Sequence, residues 1–363
     1  MSLVLTRIQN IRSNSNLDKY EYRPSRYGAL DAFIQQSNDP TGILTPELKE
    51  KARTSIGNIL ETPVIDYDKE GITISNTRTL TIADSENTSK MVQINFATYA
   101  FGFTIAPAMY MNNEIGIQKD FETKMMKYIY KLAQKLDQDA LAKLAAAKTQ
   151  VIKNPLLYNK TGNTINAKWT ERENVFGDLD PIMAANDFFG QLHIVGDAGV
   201  ESIMRKLAQH GLYNDTNKQN EFGNKVVHLT NNMALESGKY AQGYAINAGS
   251  LGFMTRFERD CLLGTVSGDG HEWGVATLPL LNIPCGTYFY DSVGDYSTIA
   301  GDATADMTRT RKEHYGFAVD IAFLTPYNSD AKTLASPIIG FNISSENAHY
   351  AVPVQQVVAP PTA

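Results

Sequence analysis

Apolar residues recur at Ile117, Phe121, Met125, Tyr128, Leu132, Leu136 and Leu144, with Ala140 or Leu141 filling the last interval. These steps of three and four residues draw a single stripe along one face of a helix. The segment that holds them, Met111 to Gln150, contains no proline, one early glycine at Gly116, and otherwise mostly Lys, Gln, Asp and Glu. At 1.5 Å per residue it predicts a rod of roughly 55 Å, more than a compact domain asks of one element. Just upstream the period changes to two. Ile72 and Ile74, Leu80 and Ile82, and then Val92, Ile94 and Phe96 alternate with polar residues, and the break from Ala83 to Asn87 separates the last two runs as a turn would. The pattern predicts a β-ribbon. A two-stranded ribbon is marginal in water on its own, so it needs a neighbour to lie upon.

Elsewhere the pattern is shorter in range. Residues 1 to about 24 are polar, rich in Asn and Ser and weakly periodic, which predicts an extended arm with little core of its own. Helices are predicted over Arg26 to Gln36 and Pro46 to Ile59, the second with Thr45 as N-cap and Pro46 in its first turn. Beyond the rod, Gln191 to Gly196 reads as a strand, and Gly199 to His210 as a helix with Val200, Ile203, Met204 and Leu207 on one side. Further strands are predicted at Val226 to Leu229, Gly274 to Leu281, Glu313 to Thr325 and Pro337 to Ile343. The ending AVPVQQVVAPPTA is too proline-rich for a packed helix and reads as an extended tail. No repeat of fixed period is present. The class implied is α+β.

Composition narrows the functional classes. The 363 residues are 43% apolar and 20% charged, and the formal net charge is −6. That balance describes a globular chain without a large basic surface that would advertise nucleic acid as its direct ligand. The first sixteen residues lack the apolar core of a secretory signal, and no run of eighteen apolar residues occurs, so the expectation is a soluble chain made inside the cell. Cys261 and Cys285 suit neither a disulfide framework nor a zinc site and read as small apolar fillers.

Candidate chemistry is sparse. Asp269, His271 and Glu272 offer metal-ligand atoms, but in a Gly-rich turn they fit turn chemistry better, and Gly264, Gly268 and Gly270 lack the Lys-Ser or Lys-Thr of a phosphate loop. The other histidines, His193, His210, His228, His314 and His349, form no i, i+4 pair and read as structural or surface residues. No Gly-x-Ser-x-Gly elbow is present. Asp66 with Asp68, and Asp137 with Asp139, read as solvated faces beside Lys69 and Lys135. The rings at Tyr99, Phe101, Phe103, Tyr128, Tyr130, Tyr288, Phe289 and Tyr290 lack the basic neighbours of a nucleotide-stacking groove and read as anchors of cores and subunit contacts. No catalytic residue, cofactor site or metal site is assigned, and the expectation is that the chain is not an enzyme.

The order of arm, ribbon, long helix, mixed α/β region and returning strand resembles the major capsid proteins of tailed bacteriophages, the Hong Kong 97-type fold. The similarity is greatest over Met91 to Val151, MVQINFATYAFGFTIAPAMYMNNEIGIQKDFETKMMKYIYKLAQKLDQDALAKLAAAKTQV. The resemblance implies an N-arm at 1–30, a first part of a peripheral domain at 31–66 and an extended loop at 67–99. It further implies the peripheral domain with its spine helix at 100–152, an axial domain at 153–311, a peripheral return strand at 312–350 and a C-terminal tail at 351–363. It implies a spine core of Ile117, Phe121, Met125, Tyr128, Leu132, Leu136 and Leu144. The implied intersubunit ribbon comprises Ile72, Ile74, Leu80, Ile82, Val92, Ile94 and Phe96.

The implied function is self-assembly into pentamers and hexamers of an icosahedral head around double-stranded DNA, in a virion built in the host cytoplasm. Portal, scaffolding and decoration proteins would be partners, DNA would be touched only non-specifically, and no membrane is involved. Some relatives join subunits through Lys and Asn side chains assisted by Glu; Lys69, Lys90, Asn342, Glu346 and Asn347 supply those residue types here. Removing residues 1 to 20, or Leu80 to Lys90, is then expected to leave a folded subunit that cannot close shells. Two other readings stand beside this one: a mixed α/β enzyme whose site carries no motif, and another virion component such as a tail or decoration protein.

Overall fold

The computed structural model describes residues 3–13, 26–39, 42–54, 59–65, 89–110, 113–148, 152, 154–210, 225–233, 236–257, 271–297, 307–326 and 336–346. These form two compact units, each woven from separated stretches of chain. One comprises Met1–Ser25, Pro40–Leu136 and Leu251–Ser329; the other comprises Arg26–Asp39, Asp137–Ser250 and Asp330–Ala363. This partition departs from the expected segments. Residues 251–329 cluster with 40–136, and residues 330–363 with 137–250. The reason is strand pairing over long sequence separations, which local pattern does not reveal.

The first unit is built on helix α1 (Leu3–Ser13) and helix α3 (Pro46–Thr54), with α2 (Gly28–Gln36) lying in the other unit. Its sheet takes strands β3 (Ala97–Ile105), β9 (Gly252–Arg256), β10 (His271–Thr277), β11 (Pro284–Ser297) and β12 (Met307–Leu324). They run in the order β10-β11-β12-β3, all antiparallel, with β9 also pairing to β12. Alternation on β3 turns Tyr99, Phe101 and Phe103 inward and leaves Ala100, Gly102 and Thr104 exposed.

The inward face receives helix α4 (Glu114–Ala147), 34 residues long and about 50 Å at the α-helical rise. Its ends lie a few residues inside the predicted Met111 and Gln150. Phe103, Phe121, Tyr315 and Phe289 then form a chain of ring contacts with centroids 5.0–5.5 Å apart. Phe101, Tyr128 and Phe317 extend that chain. The aromatic clusters at 99–103, 128 and 289 therefore act as core anchors, each fully buried ring worth about 1.5–3 kcal/mol.

The expected extended arm is corrected here. Residues 3–13 form a helix that buries Val4, Ile8 and Ile11 together with Arg7. Three apolar residues at spacings of four and three make the stripe, and the Asn and Ser residues around it mask the periodicity. Removing residues 1 to 20 therefore strips packed side chains from a core, so the deletion is expected to cost the subunit stability rather than leave its fold untouched.

Strands β1 (Ile59–Ile65) and β2 (Ser89–Asn95) form a separate two-stranded antiparallel ribbon, pairing Ile59 with Asn95 through Ile65 with Ser89. The ribbon's first strand lies where the second predicted helix was to end. That helix stops at Thr54, after opening as expected with the Thr45 hydroxyl accepting the Leu48 N–H at 3.3 Å. Ile72, Ile74, Leu80 and Ile82, with Asp66, Asp68 and Lys69, lie outside the described residues.

The second unit holds a six-stranded mixed sheet, β4-β5-β13-β8-β6-β7. Its strands are β4 (Asn159–Thr161), β5 (Thr164–Ala167), β6 (Leu192–Gly196), β7 (Lys225–Leu229), β8 (Lys239–Asn247) and β13 (Ile338–Ser344). One face is apolar: Ile165, Ile194, Ala245, Ile339, Phe341 and Ile343 pack with helix α5 (Val175–Ala185) and helix α6 (Ala198–His210). On α6, Val200 and Ile203 are buried and Met204 and Leu207 pack beside them. Gly28 opens α2 hard against β7, where a Cβ would lie 2.6 Å from backbone carbons of His228 and Leu229. Only glycine permits that approach.

Candidate functional site

The spine residues occupy both units. Ile117, Phe121, Met125, Leu132 and Leu136 are buried in the first, Tyr128 is half-buried there, and Leu144 is buried in the second. Met126, Ile129, Ala133, Ala140 and Leu141 join them, so the apolar face is broader than the stripe read from the chain.

The ribbon is two-faced. Leu60 and Ile94 are buried with Leu44, Ala52, Phe96, Met254 and Ala322 in a cluster at its base. The Arg256 guanidinium covers the Phe96 ring at 4.3 Å and reaches Asp320 at 3.2 Å. Ile94 and Phe96 are therefore buried within this chain's own fold, and Val92 is half-buried. The opposite face shows Ile59, 52% exposed, and Met91, 53% exposed, flanking a hydrogen bond from Gln93 to Glu61 at 3.1 Å.

Arg7 is the buried charge that local pattern most clearly missed. It is 3% exposed, 3.1 Å from buried Glu313 and 3.5 Å from exposed Glu114, and its guanidinium lies over the rings of Tyr315 and Phe121. The Tyr315 hydroxyl donates to Glu313 at 2.7 Å, and burial followed by that bond pushes the phenol well above its usual range. Among the described residues no hydrogen-bond acceptor meets the buried Nε and Nη1 groups of Arg7. The signal was present: Arg7 falls between Val4, Ile8 and Ile11 on one helical face.

Asp137 is a second correction. Far from a solvated face, it is fully buried and accepts three hydrogen bonds: from the Leu30 N–H at 3.0 Å, the Thr230 hydroxyl at 2.5 Å and the Asn232 amide at 2.9 Å. Leu30 sits in the first turn of α2, so a carboxylate meets the end of a helix where N–H groups lack partners. Asp31 nearby is pushed upward by burial and then by the Asp137 charge. Ala133, Ala140 and Leu141, at the helical spacings around Asp137, mark its position as interior.

His193 and His228 are brought together by the parallel pairing of β6 and β7. Their rings stack at 5.3 Å, with Nδ1 of His193 3.0 Å from Nε2 of His228. Burial, reinforced by the neighbouring His193, lowers His228 to about 4; burial also lowers His193, against the pull of Asp39. The structural reading of these two histidines thus gains a partner that sequence spacing concealed.

Other candidates resolve more simply. His271 lies on β10 with its Nδ1 2.5 Å from the Tyr288 hydroxyl, His314 meets Thr104 and Ser292, and Asp269 lies outside the described residues. Among the described residues no group of His, Cys, Asp and Glu is placed to hold a metal ion, and no helix is long and apolar enough to cross a membrane. Cys285 is buried; Cys261, His349, Asn347 and the tail at 351–363 lie outside the described residues. Lys90 stands on β2 in the first unit and Asn342 on β13 in the second. The polar face of the second unit's sheet, with Thr164, Asn166, Gln242 and Asn342, forms with Ala145 and Lys148 part of an open cleft of about 760 Å³.

No protein-family model and no curated protein matches the chain. Solved structures do resemble it. A chain of Mycobacterium phage Che8 is 11% identical, with a TM-score of 0.46 over 85% of this chain and 90% of that one. A chain from the capsid of Ralstonia phage GP4 is 10% identical, with a TM-score of 0.43 over 80% and 85%. One from the capsid of Myoviridae phage XM1 is 11% identical, with a TM-score of 0.41 over 86% and 91%.

Proposed function

We propose that this chain is the major capsid subunit of a tailed phage, with the Hong Kong 97-type fold, and that it assembles into hexamers and pentamers of an icosahedral head around double-stranded DNA. The observation that carries the reading is the ribbon. Its inner face is anchored at the base by Leu60, Ile94 and Phe96, while its outer face leaves Ile59 and Met91 more than half exposed. A two-stranded sheet of this kind lacks the second layer that would stabilise it, and a neighbouring copy supplies one. In this reading the first unit is the peripheral domain with its loop and the spine as far as Leu136, and the second unit, which takes the end of the spine, is the axial domain meeting its copies around the capsomer axis. Catalysis has no part in the mechanism; rigid plates and reaching segments do the work. Portal, scaffolding and decoration proteins are its partners, and the virion shell its location.

The test is electron microscopy of the purified chain beside a variant in which residues 66–88 are replaced by Asn-Gly. That linker suits the two-residue turn of the Ile65–Ser89 pair and keeps β1 and β2 joined. Closed shells from the parent, and folded capsomers or monomers from the variant, are the expected result. A parent chain that stays a compact monomer under every assembly condition overturns the reading.

A further inference from the structure

The exposed surface of α4 has a charge that the whole chain's balance hides. Between Lys119 and Lys135 the exposed residues are Lys119, Thr123, Lys127, Lys131, Gln134 and Lys135, with no carboxylate among them. The two acids in that span, Asp120 and Glu122, are half-buried, and Asp120 is engaged by Lys124 at 2.7 Å. This happens in a chain of formal net charge −6. Lys127 and Lys131 also follow one another at i, i+4, a like-charge spacing that destabilises a helix standing alone. A polyanion laid along the face removes that repulsion.

We propose that this face, from Lys119 through Lys131, binds the phosphate backbone of double-stranded DNA without regard to sequence. The fit is one of charge and length. Lys119 to Lys131 spans about 18 Å along the helix axis, and a duplex presents one negative charge per roughly 1.7 Å. The Lys131 ammonium stands 5.8 Å from the Tyr128 ring centre, on a long side chain with room to turn outward. Thr123 and Gln134 add neutral hydrogen-bonding groups between the lysines, the chemistry of backbone positioning rather than base reading. The proposal deepens the capsid reading, on which it rests for its biological setting: it assigns the side of the subunit turned toward packaged DNA.

The experiment measures binding of the purified full chain to a labelled 24-base-pair duplex by fluorescence anisotropy, from 50 to 200 mM salt. K119Q/K127Q/K131Q is compared with K160Q/K168Q/K206Q, three equally exposed lysines elsewhere. Far-ultraviolet circular dichroism checks that both fold. The helix variant is expected to lose at least about tenfold in affinity at low salt and to flatten the log–log salt slope by about 3, near 0.9 per phosphate contact. The control is expected to keep most of both. Equal losses in the two variants, no binding by the parent chain, or tighter binding to polyglutamate than to DNA each overturn the proposal. Imaging the parent separates the two ideas: DNA binding that depends on these lysines in a parent that never forms shells counts against the capsid reading alone, and closed shells from a parent whose helix variant binds DNA undiminished count against the DNA proposal alone.

Discussion

Acidification is expected to destabilise the second unit through the stacked histidines. His228 is 8% exposed and titrates near 4 in the folded chain, against 6.5 when free. Between those values the unfolded chain binds a proton that the folded chain refuses, so stability rises with pH across the window. The contribution is fully present above about pH 6.5 and is lost as pH falls toward 4. A displacement of about 2.5 pH units corresponds to about 3 kcal/mol at 1.36 kcal/mol per unit. His193 is lowered as well, but the two rings share one hydrogen bond and titrate as a pair, so a second full contribution is not added.

The molecule supplies its own probe, because its two tryptophans lie one in each unit, Trp169 in the second and Trp273 in the first. In a Trp273→Phe background, urea unfolding followed by Trp169 fluorescence reports the second unit. Between pH 7 and 4.5 the parent is expected to lose about 2–3 kcal/mol more than a His228→Gln variant, whose position 228 cannot charge. Carboxylates common to both chains cancel in that difference. A difference that stays flat across the window refutes the reasoning.

Glu313→Gln leaves Arg7 buried with only exposed Glu114 near it and is expected to destabilise the first unit by about 3–5 kcal/mol, read by Trp273 fluorescence in a Trp169→Phe chain. Leu136→Ala, at a fully buried point of α4, is expected to cost about 2–5 kcal/mol in urea unfolding; a loss below 1 kcal/mol contradicts its placement. Asp137→Ala strands three donors, from Leu30, Thr230 and Asn232, and is expected to cost about 3 kcal/mol or more. Hydrogen exchange should then quicken at the start of α2 before it quickens in α5.

What could be read from the chain followed how local the cause was. The apolar face of α4 repeats within a few residues, and its extent came out to within a few residues at each end. Strands β6, β7, β12 and β13 and helix α6 also carry their own signal, a dense apolar run or a 3.6-residue stripe. Strand β1 does not: Glu61 and Pro63 interrupt it, and it is a strand because β2 pairs with it, proline being tolerated on the edge of a ribbon. Strand β11, PCGTYFYDSVGDYS, mixes glycine and polar residues and is held by partners on both sides. The charged anchors needed still longer reach, since Arg7 meets Glu313 and Asp137 meets Leu30 across separations that no window spans.

Those anchors share a physical character that bears on assembly. Arg7 and Asp137 are single charges placed inside, each met by groups from distant stretches of chain, Arg7 by Glu313 and Asp137 by Leu30 and Thr230, and removal of either leaves partners without compensation. Buried charges give little net stability over a well-packed apolar core, but they disfavour alternative packings in which a charge goes unmatched. Under the proposed capsid function, in which the ribbon leaves apolar side chains uncovered until a copy arrives, that discrimination has a use. Ile59 and Met91 could otherwise fold back onto whatever apolar surface the same chain offers. Cores that accept only one arrangement of charges keep the plate fixed while the ribbon stays open. The corollary is measurable: an Arg7→Met, Glu313→Leu double variant is expected to match or exceed the parent in urea stability while yielding more aberrant assemblies by electron microscopy. Equal stability with normal closed shells would show that the charges have no part in directing assembly.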